Sequence, residues 1–319
     1  MYYVGVDLGG TNIAVGIVDE SKKIIAKGSV PTFASREGEL IIKDMAGLVE
    51  ELLRNNKIAL SDVAYVGIAT PGTVDDKNGV VVRAYNLPFD HFPIAEIFKR
   101  YLAVKDVFVA NDANAAALGE AIVGAARGSR NSVMITLGTG VGGGIIIDGK
   151  IYSGFNGSAG ELGHIVIKHG GRQCTCGRRG CWEAYSSATA LSAVTKERIA
   201  ECDIKGIPSL MVDEYKATGK ATARTAFAAM KKGDKVAAAV VDYYIDHLAC
   251  GIANIVNAFQ PEILCIGGGI CNEREYLLTP LCEKVRHEQY TRANDVQTKI
   301  VIAELGNDAG IIGAACLGL

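Results

Sequence analysis

The sequence predicts an α/β protein of two domains, each built on an open sheet with helices packed against it. Three observations lead there. From Tyr2 to Val123, apolar strands alternate with segments of helical period. A strand–glycine turn–strand unit occurs twice, as Val6–Asp19 and Ile135–Asp148, aligned so that Leu8 falls on Leu137, Gly9 on Gly138 and Asp19 on Asp148. Two unrelated glycine hairpins would also align this way, but 319 residues are enough for two domains with a core each.

In chain order, Tyr2–Leu8 and Ile13–Asp19 are strands joined by Gly9-Gly10-Thr11-Asn12, and Ile24–Val30 completes a meander. Glu37–Asn55 places Leu40, Ile41, Met45, Leu48 and Leu52 on one helical face, with charges opposite. Val63–Ala69 reads as a buried strand ending in Thr70-Pro71-Gly72. Ile94–Tyr101 is a helix, Val107–Ala110 a short strand and Ala113–Val123 an alanine-rich helix. Beyond the second hairpin the chain turns mostly helical, with Trp182–Glu201, Thr222–Lys231 and Asp234–Phe259 each expected as one helix. Asp203–Lys220 is the most loop-like stretch. Glu262–Ile266 is a buried strand leading into Gly267-Gly268-Gly269, followed by a helix (Glu273–Tyr290), a strand (Lys299–Ala303) and a closing helix (Asn307–Leu317).

Bulk properties remove several function classes. A formal net charge of -2 gives no electrostatic reason to expect nucleic acid or an anionic membrane as partner. The start, MYYVGVDLGG, has no basic stretch followed by an apolar run, so no secretory signal is expected. No uninterrupted apolar segment is long enough to span a bilayer, since Asp242, Asp246 and His247 interrupt the best candidate. A cytoplasmic location is expected by default. The cysteine count of 9 is odd, which argues against a full disulfide framework. Cys202, Cys250, Cys265, Cys271, Cys282 and Cys316 are scattered and read as small core hydrophobes.

The glycine clusters suit phosphate. In Gly9-Gly10-Thr11-Asn12 the backbone N–H groups have no β-carbon to block them and a hydroxyl stands beside them. Asp7, at the end of the preceding strand, is placed to hold Mg²⁺ through water. Gly138-Thr139-Gly140 offers the same cradle in the second hairpin, and Gly267 and Gly268 would let a base or ribose lie against the backbone. Each cluster alone is as readily structural. None is followed by Gly-Lys-Ser/Thr, and none is a GxGxxG opening a helix.

His164, Cys174, Cys176 and Cys181 supply one imidazole and three thiols within a short loop, a set that satisfies tetrahedral Zn²⁺ with no open position, hence a structural site. A metal-free thiol cluster or one local disulfide is the alternative, and His169 is the alternative imidazole. Asn111-Asp112 follows a strand and opens a helix, which in an open α/β sheet is where ligands bind. Asp112 there can take a proton from a substrate hydroxyl, or it can simply cap the helix. Glu161, His164 and Glu183 bracket the cysteine loop. The two carboxylates would accept hydrogen bonds from sugar hydroxyls, or form salt bridges with Arg172, Arg178 or Arg179.

Taken together, Asp7-Leu-Gly-Gly-Thr-Asn12, Thr70-Pro-Gly72, Asn111-Asp-Ala-Asn-Ala-Ala116, Leu137-Gly-Thr-Gly140, Glu161-Leu-Gly-His164, Cys174-Thr-Cys-Gly-Arg-Arg-Gly-Cys-Trp-Glu183 and Ile266-Gly-Gly-Gly269 resemble the ROK family of sugar kinases and sugar-responsive repressors. The pattern is most similar to that of the family's bacterial glucokinases. The resemblance implies an actin-like ATPase (ribonuclease H-like) fold of two domains with a cleft between them. The expected division is a smaller N-terminal domain over residues 1–115 and a larger one over 116–304 that carries the zinc loop 164–181. The closing helix, about residues 305–319, would return to the first domain. Asp112 matches the family's catalytic base. Asn111, Glu161, His164 and Glu183, with Asn86 beside them, match its sugar-binding residues. Asp7, Gly9, Gly10, Thr11, Asn12, Gly138, Thr139, Gly140, Gly267 and Gly268 fall in its nucleotide motifs.

The implied reaction is transfer of the γ-phosphoryl group of ATP to the 6-hydroxyl of glucose, with Mg²⁺ as catalytic cofactor, Zn²⁺ as structural metal and a homodimer as the assembly. Kinases of N-acetylmannosamine, N-acetylglucosamine, fructose and allose share nearly all these motifs, and polyphosphate remains open as donor. A sugar-sensing repressor of the same family would carry a winged helix-turn-helix before the first strand, where this chain begins directly at Tyr2. A chaperone-type ATPase would have no need of the Glu161–His164 motif and the cysteine loop.

Overall fold

The computed structural model describes residues 1–319. The chain divides into two compact units: unit 1 is Met1–Met134, Gly144–Gly160 and Ala303–Leu319, and unit 2 is Ile135–Gly143 and Glu161–Ile302.

Unit 1 opens with β1 (Tyr2–Leu8), β2 (Asn12–Val18) and β3 (Ile24–Pro31), a meander bent by the first glycine turn. Helix α1 (Gly38–Asn55) follows, then β4 (Val63–Thr70) and a small sheet of β5 (Thr73–Asp75), β6 (Val80–Arg83) and β7 (Asp90–Phe92). These last three strands are too short to show an alternating pattern and went unforeseen in the sequence. Helix α2 (Ile94–Tyr101), β8 (Val107–Asn111) and α3 (Asp112–Ile122) come next. The main sheet runs β3-β2-β1-β4-β8, with β1, β4 and β8 parallel. Its register pairs Asp7 with Ala69 and Thr70 with Asn111, so the carboxyl ends of three strands lie side by side. In an open α/β sheet this edge is where ligands collect.

Alternation along β1 sends Val4, Val6 and Leu8 into one core with Ile41, Met45 and Val49 of α1. Gly5 points the other way. A β-carbon there would collide with the carbonyl of Ile311, and one at Gly67 of β4 with that of Ala314. Both residues belong to the closing helix, which lies directly on the sheet backbone because these positions are bare.

The second hairpin is β9 (Ser132–Leu137) and β10 (Val141–Ile147), followed by β11 (Lys150–Ile151). The remaining elements are α4 (Glu183–Ser186), α5 (Ala188–Lys205), α6 (Leu210–Thr218), α7 (Ala223–Lys231), α8 (Lys235–Phe259), β12 (Ile263–Gly267), α9 (Glu275–Glu288), β13 (Lys299–Ile302) and α10 (Ala309–Ala315). The second sheet has the order β11-β10-β9-β12-β13. Helix α8 is long and apolar enough by composition to cross a membrane, yet more than half of that stretch is buried, against α4, α5, α7 and α9.

Two helix expectations change. The helix read over Trp182–Glu201 is broken at Ser187, whose extended backbone and side-chain oxygen cap α5 through the amide of Ala190 at 3.0 Å. The stretch read as a loop over Asp203–Lys220 carries the end of α5 and all of α6. Helix α6 starts at the Ser209 cap and buries only Met211 and Val212, too little apolar surface to register as a helical pattern.

Helix α10 packs on β1, β4 and α3. Glu120 of α3, fully buried, fastens its approach. Its carboxylate accepts the amides of Ala125 at 2.8 Å, Glu304 at 3.1 Å and Leu305 at 2.8 Å.

Candidate active site

The predicted residues of unit 1 gather at the carboxyl ends of β1, β4 and β8. The Gly9–Asn12 turn is closed by the Gly9 amide donating to Asn12 O at 2.9 Å. It is braced by buried Thr32, whose hydroxyl donates to Gly9 O at 2.7 Å and whose amide donates to Thr11 O at 2.8 Å. Thr32 escaped the sequence reading because nothing local marks it. Asn86 is exposed and borders Gly10, where a β-carbon would come to 3.2 Å of its Nδ2.

Asn111, not Asp112, caps α3. Its Oδ1 accepts the amides of Ala113 at 3.0 Å and Asn114 at 3.2 Å, and its Nδ2 donates to Gly72 O at 3.1 Å. Asp112 therefore stands at the first helical position with its carboxylate spared from capping. It takes the amide of Ala113, at 2.8 Å on Oδ1, and the Asn111 side chain beside it also favours the ionised form. Burial raises the Asp112 pKa, against the lowering effect of the Ala113 amide. Asp7 is pushed up to about 6, first by burial and then by the Asp112 carboxylate, with Lys27 pulling the other way. Gly310 of α10 leaves room for that carboxylate, since a β-carbon there would sit 2.7 Å from it. Two mutually repelling carboxylates held out of water make a site suited to a cation and a proton acceptor.

In unit 2, the turn Gly138-Thr139-Gly140 closes through the Gly138 amide and Gly140 O at 3.0 Å, with Thr139 exposed. Gly268 (φ +103) abuts the last residue of β9, where a β-carbon would collide with Leu137 O. Gly268 thereby lies against the residue that leads into the Gly138–Gly140 turn. Glu183 joins the same turn: its Oε2 accepts the amide of Val141 at 3.0 Å, and its Oε1 accepts the Thr175 hydroxyl at 3.3 Å. The three arginines have other partners. Arg172 pairs with Glu197, Arg178 donates to His164 O at 3.2 Å and Arg179 to Gln173 Oε1 at 3.3 Å. Glu161 is exposed at the start of the segment leading to His164.

The donor atoms of His164, Cys174, Cys176 and Cys181 all lie within 4.8 Å of one another, and this group can hold a metal ion. His164 Nδ1 is 3.6 Å from Cys174 Sγ, and the Cys176 and Cys181 sulfurs are 3.7 Å apart. His169 is exposed and outside the group. The Arg178 backbone amide lowers the Cys176 pKa, whereas burial raises that of Cys181. All nine cysteines are free thiols.

Comparison with protein-family models matches residues 3–319 to the ROK family. The chain belongs to that family. Among ROK relatives, the glucokinase of Halalkalibacterium halodurans is 38% identical over 317 residues, covering 99% of this chain and 94% of its own. The glucokinase of Thermotoga maritima is 40% identical over 320 residues, with 98% and 96% covered. Among solved structures, a ROK family glucokinase from Streptomyces griseus in complex with glucose and AMPPNP superposes with a TM-score of 0.78 at 33% identity, covering 99% of each chain. The ROK fold, an actin-like ATPase arrangement of two mixed sheets with helices, is thus the fold of this chain.

Proposed function

We propose that this ROK protein is a glucokinase that transfers the γ-phosphoryl group of ATP to the 6-hydroxyl of glucose. The observation that carries the reading is Asp112, a buried carboxylate at the head of α3 that is not the helix cap because Asn111 takes that role. Glucokinases 38% and 40% identical over nearly the full chain support the choice of sugar, and the structure of a 33% identical ROK glucokinase with glucose and AMPPNP supports the donor.

Asp112 accepts the proton of the attacking hydroxyl as the new P–O bond forms. Phosphoryl transfer gains most of its rate from positioning and charge stabilisation, so the base acts late. The amides of the Gly9–Asn12 and Gly138–Gly140 turns bind phosphate oxygens, and the bare backbone at Gly267 and Gly268 receives the nucleoside. Glu161, Glu183, His164, Asn86 and Asn111 orient the sugar hydroxyls. Asp7 is the carboxylate for Mg²⁺, which when bound with ATP neutralises phosphate charge.

His164, Cys174, Cys176 and Cys181 fit structural Zn²⁺. With Zn–S and Zn–N bonds of ordinary length, a tetrahedral ion would separate two sulfurs by about 3.8 Å, and a sulfur and a nitrogen by about 3.6 Å. The gaps of 3.7 Å and 3.6 Å agree with both. His164 would hold the metal through one ring nitrogen and could meet the sugar with the other, and the metal would supply rigidity to the pocket without touching the chemistry. A homodimer in the cytoplasm completes the proposal. The family resemblance supports the dimer and the nine free thiols support the compartment, and light scattering of the purified chain tests the dimer.

The deciding experiment is an ATP-coupled assay over glucose, mannose, fructose, allose, N-acetylmannosamine and N-acetylglucosamine. Glucose 6-phosphate as the product with the highest kcat/KM is expected. ATP hydrolysis without phosphorylated sugar, or preference for another hexose, would overturn the reading.

A further inference from the structure

We infer that Cys176 and Cys181 are an oxidant-sensitive pair, which a hydroperoxide closes to a disulfide and which in closing opens the metal cluster beside Glu183. Their sulfurs are 3.7 Å apart. An S–S bond of about 2.05 Å requires them to approach by about 1.7 Å. The two sides differ in freedom. Cys181 is fully buried and pairs with Val166 in an antiparallel bridge. Its neighbour Trp182 donates the backbone amide to Ile165 O at 2.8 Å and the indole N–H to His247 O at 3.0 Å. Cys176 lies on the turn closed by the Cys174 amide and Arg178 O at 2.9 Å. The tip of that turn, Gly177 (φ +90), faces open space, with nothing within 4 Å of a β-carbon placed there. The movement therefore falls to the Cys176 side.

Of the nine thiols only that of Cys176 is exposed, so an oxidant in solution meets it first. Its sulfur attacks hydrogen peroxide: an S–O bond forms, the O–O bond breaks, and the products are a sulfenic acid and water. The Cys181 sulfur then attacks the sulfenic sulfur. The S–S bond forms, the S–O bond breaks, and the departing hydroxide takes the Cys181 proton to leave as a second water. Two thiols are oxidised and one peroxide is reduced. Cys174 is the competing partner, but it is buried and only one residue from Cys176, and closing so short a ring strains the disulfide. The Cys176–Cys181 bond removes two of the four donors and leaves His164 and Cys174. It also pulls on Thr175, whose hydroxyl donates to Glu183 Oε1 at 3.3 Å. Sugar affinity should therefore fall on oxidation, a consequence that rests on the glucokinase reading; the disulfide itself does not.

The test treats the zinc-loaded full chain with hydrogen peroxide, follows zinc release with a chromogenic chelator, alkylates the remaining thiols and maps tryptic peptides by mass spectrometry. The peptide Gln173–Arg178 should be found joined to Gly180–Lys196, with the alkyl label on Cys174. About one zinc should be released per disulfide formed. KM for glucose should rise about tenfold or more, and dithiothreitol with added Zn²⁺ should restore it. Cys176→Ser should keep Cys181 a free thiol at the peroxide dose that oxidises the parent. Should that variant fail to fold, the parent's peptide map still decides the pairing. A different cysteine pair, a sulfinic acid at Cys176 without a cross-link, zinc release without a disulfide, or an unchanged KM in the cross-linked chain would overturn the inference. Failure to phosphorylate glucose before oxidation would count against the glucokinase reading alone, and the peptide map would still decide the disulfide.

Discussion

Glu183 Oε2 accepts the amide of Val141 at 3.0 Å, tying the cysteine loop to the strand that leaves the Gly138–Gly140 turn. One carboxylate thus braces the glycine turn and, in the proposed reaction, also binds sugar. Substitutions separate the two roles. Glu183→Gln keeps an oxygen for the Val141 amide, so KM for glucose should rise while KM for ATP stays near its starting value. Glu183→Ala leaves that amide unpaired at a cost of about 1–3 kcal/mol, and both KM values should rise. Equal effects of the two variants on ATP would show that the tie does not matter to the turn.

Asp112→Ala should lower kcat by about 10²- to 10⁴-fold with much smaller changes in either KM. The pH profile gives an independent check. The base works only when ionised and its pKa is raised by burial, so activity should fall with decreasing pH through a midpoint above the ordinary aspartate range. A profile flat down to that ordinary range would count against Asp112.

Asp7 predicts a trade between stability and turnover. Its folded pKa of about 6 exceeds the unfolded value of 3.8, so the native state binds this proton more tightly. Ionisation of Asp7 therefore costs the fold up to about 3 kcal/mol, in full above pH 6 and vanishing as pH falls toward 3.8. Asp7→Asn should raise Tm at pH 8, with the gain gone near pH 4, while turnover with Mg²⁺-ATP drops sharply. A variant equally stable with the parent at both pH values would refute the desolvation argument.

Metal removal should unfold a region rather than simply inactivate a centre. Purified chain should carry about one zinc per polypeptide. A strong chelator should lower Tm and expose loop 164–181 to proteases, with KM for glucose rising before kcat falls. Cys176→Ser, which changes the exposed ligand, should weaken metal retention. Full activity and unchanged Tm in demetallated protein would dismiss the structural role.

The sequence disclosed elements with a strong period and residues with distinctive spacing. The order of the first strands, the buried run at Glu262–Ile266 and the four-ligand cluster were all legible, because each depends on neighbours close in the chain. Asp112 was legible as a position and ambiguous as a role. Only the structure shows Asn111 taking the capping bonds. The Glu183–Val141 tie, the Thr32 brace and the Lys27 influence on Asp7 join residues far apart in sequence, and no local pattern could announce them.

The seat of α10 on β1 also sets a schedule. Gly5 and Ile311 stand at opposite ends of the numbered chain, so a ribosome must make nearly all of it before the sheet's bare backbone meets its cover. Until then the nascent unit 1 presents an unprotected sheet face, a hazard for association with other chains. Premature termination between Gly269 and Ala309 would release a product that holds every proposed site residue and still cannot complete unit 1.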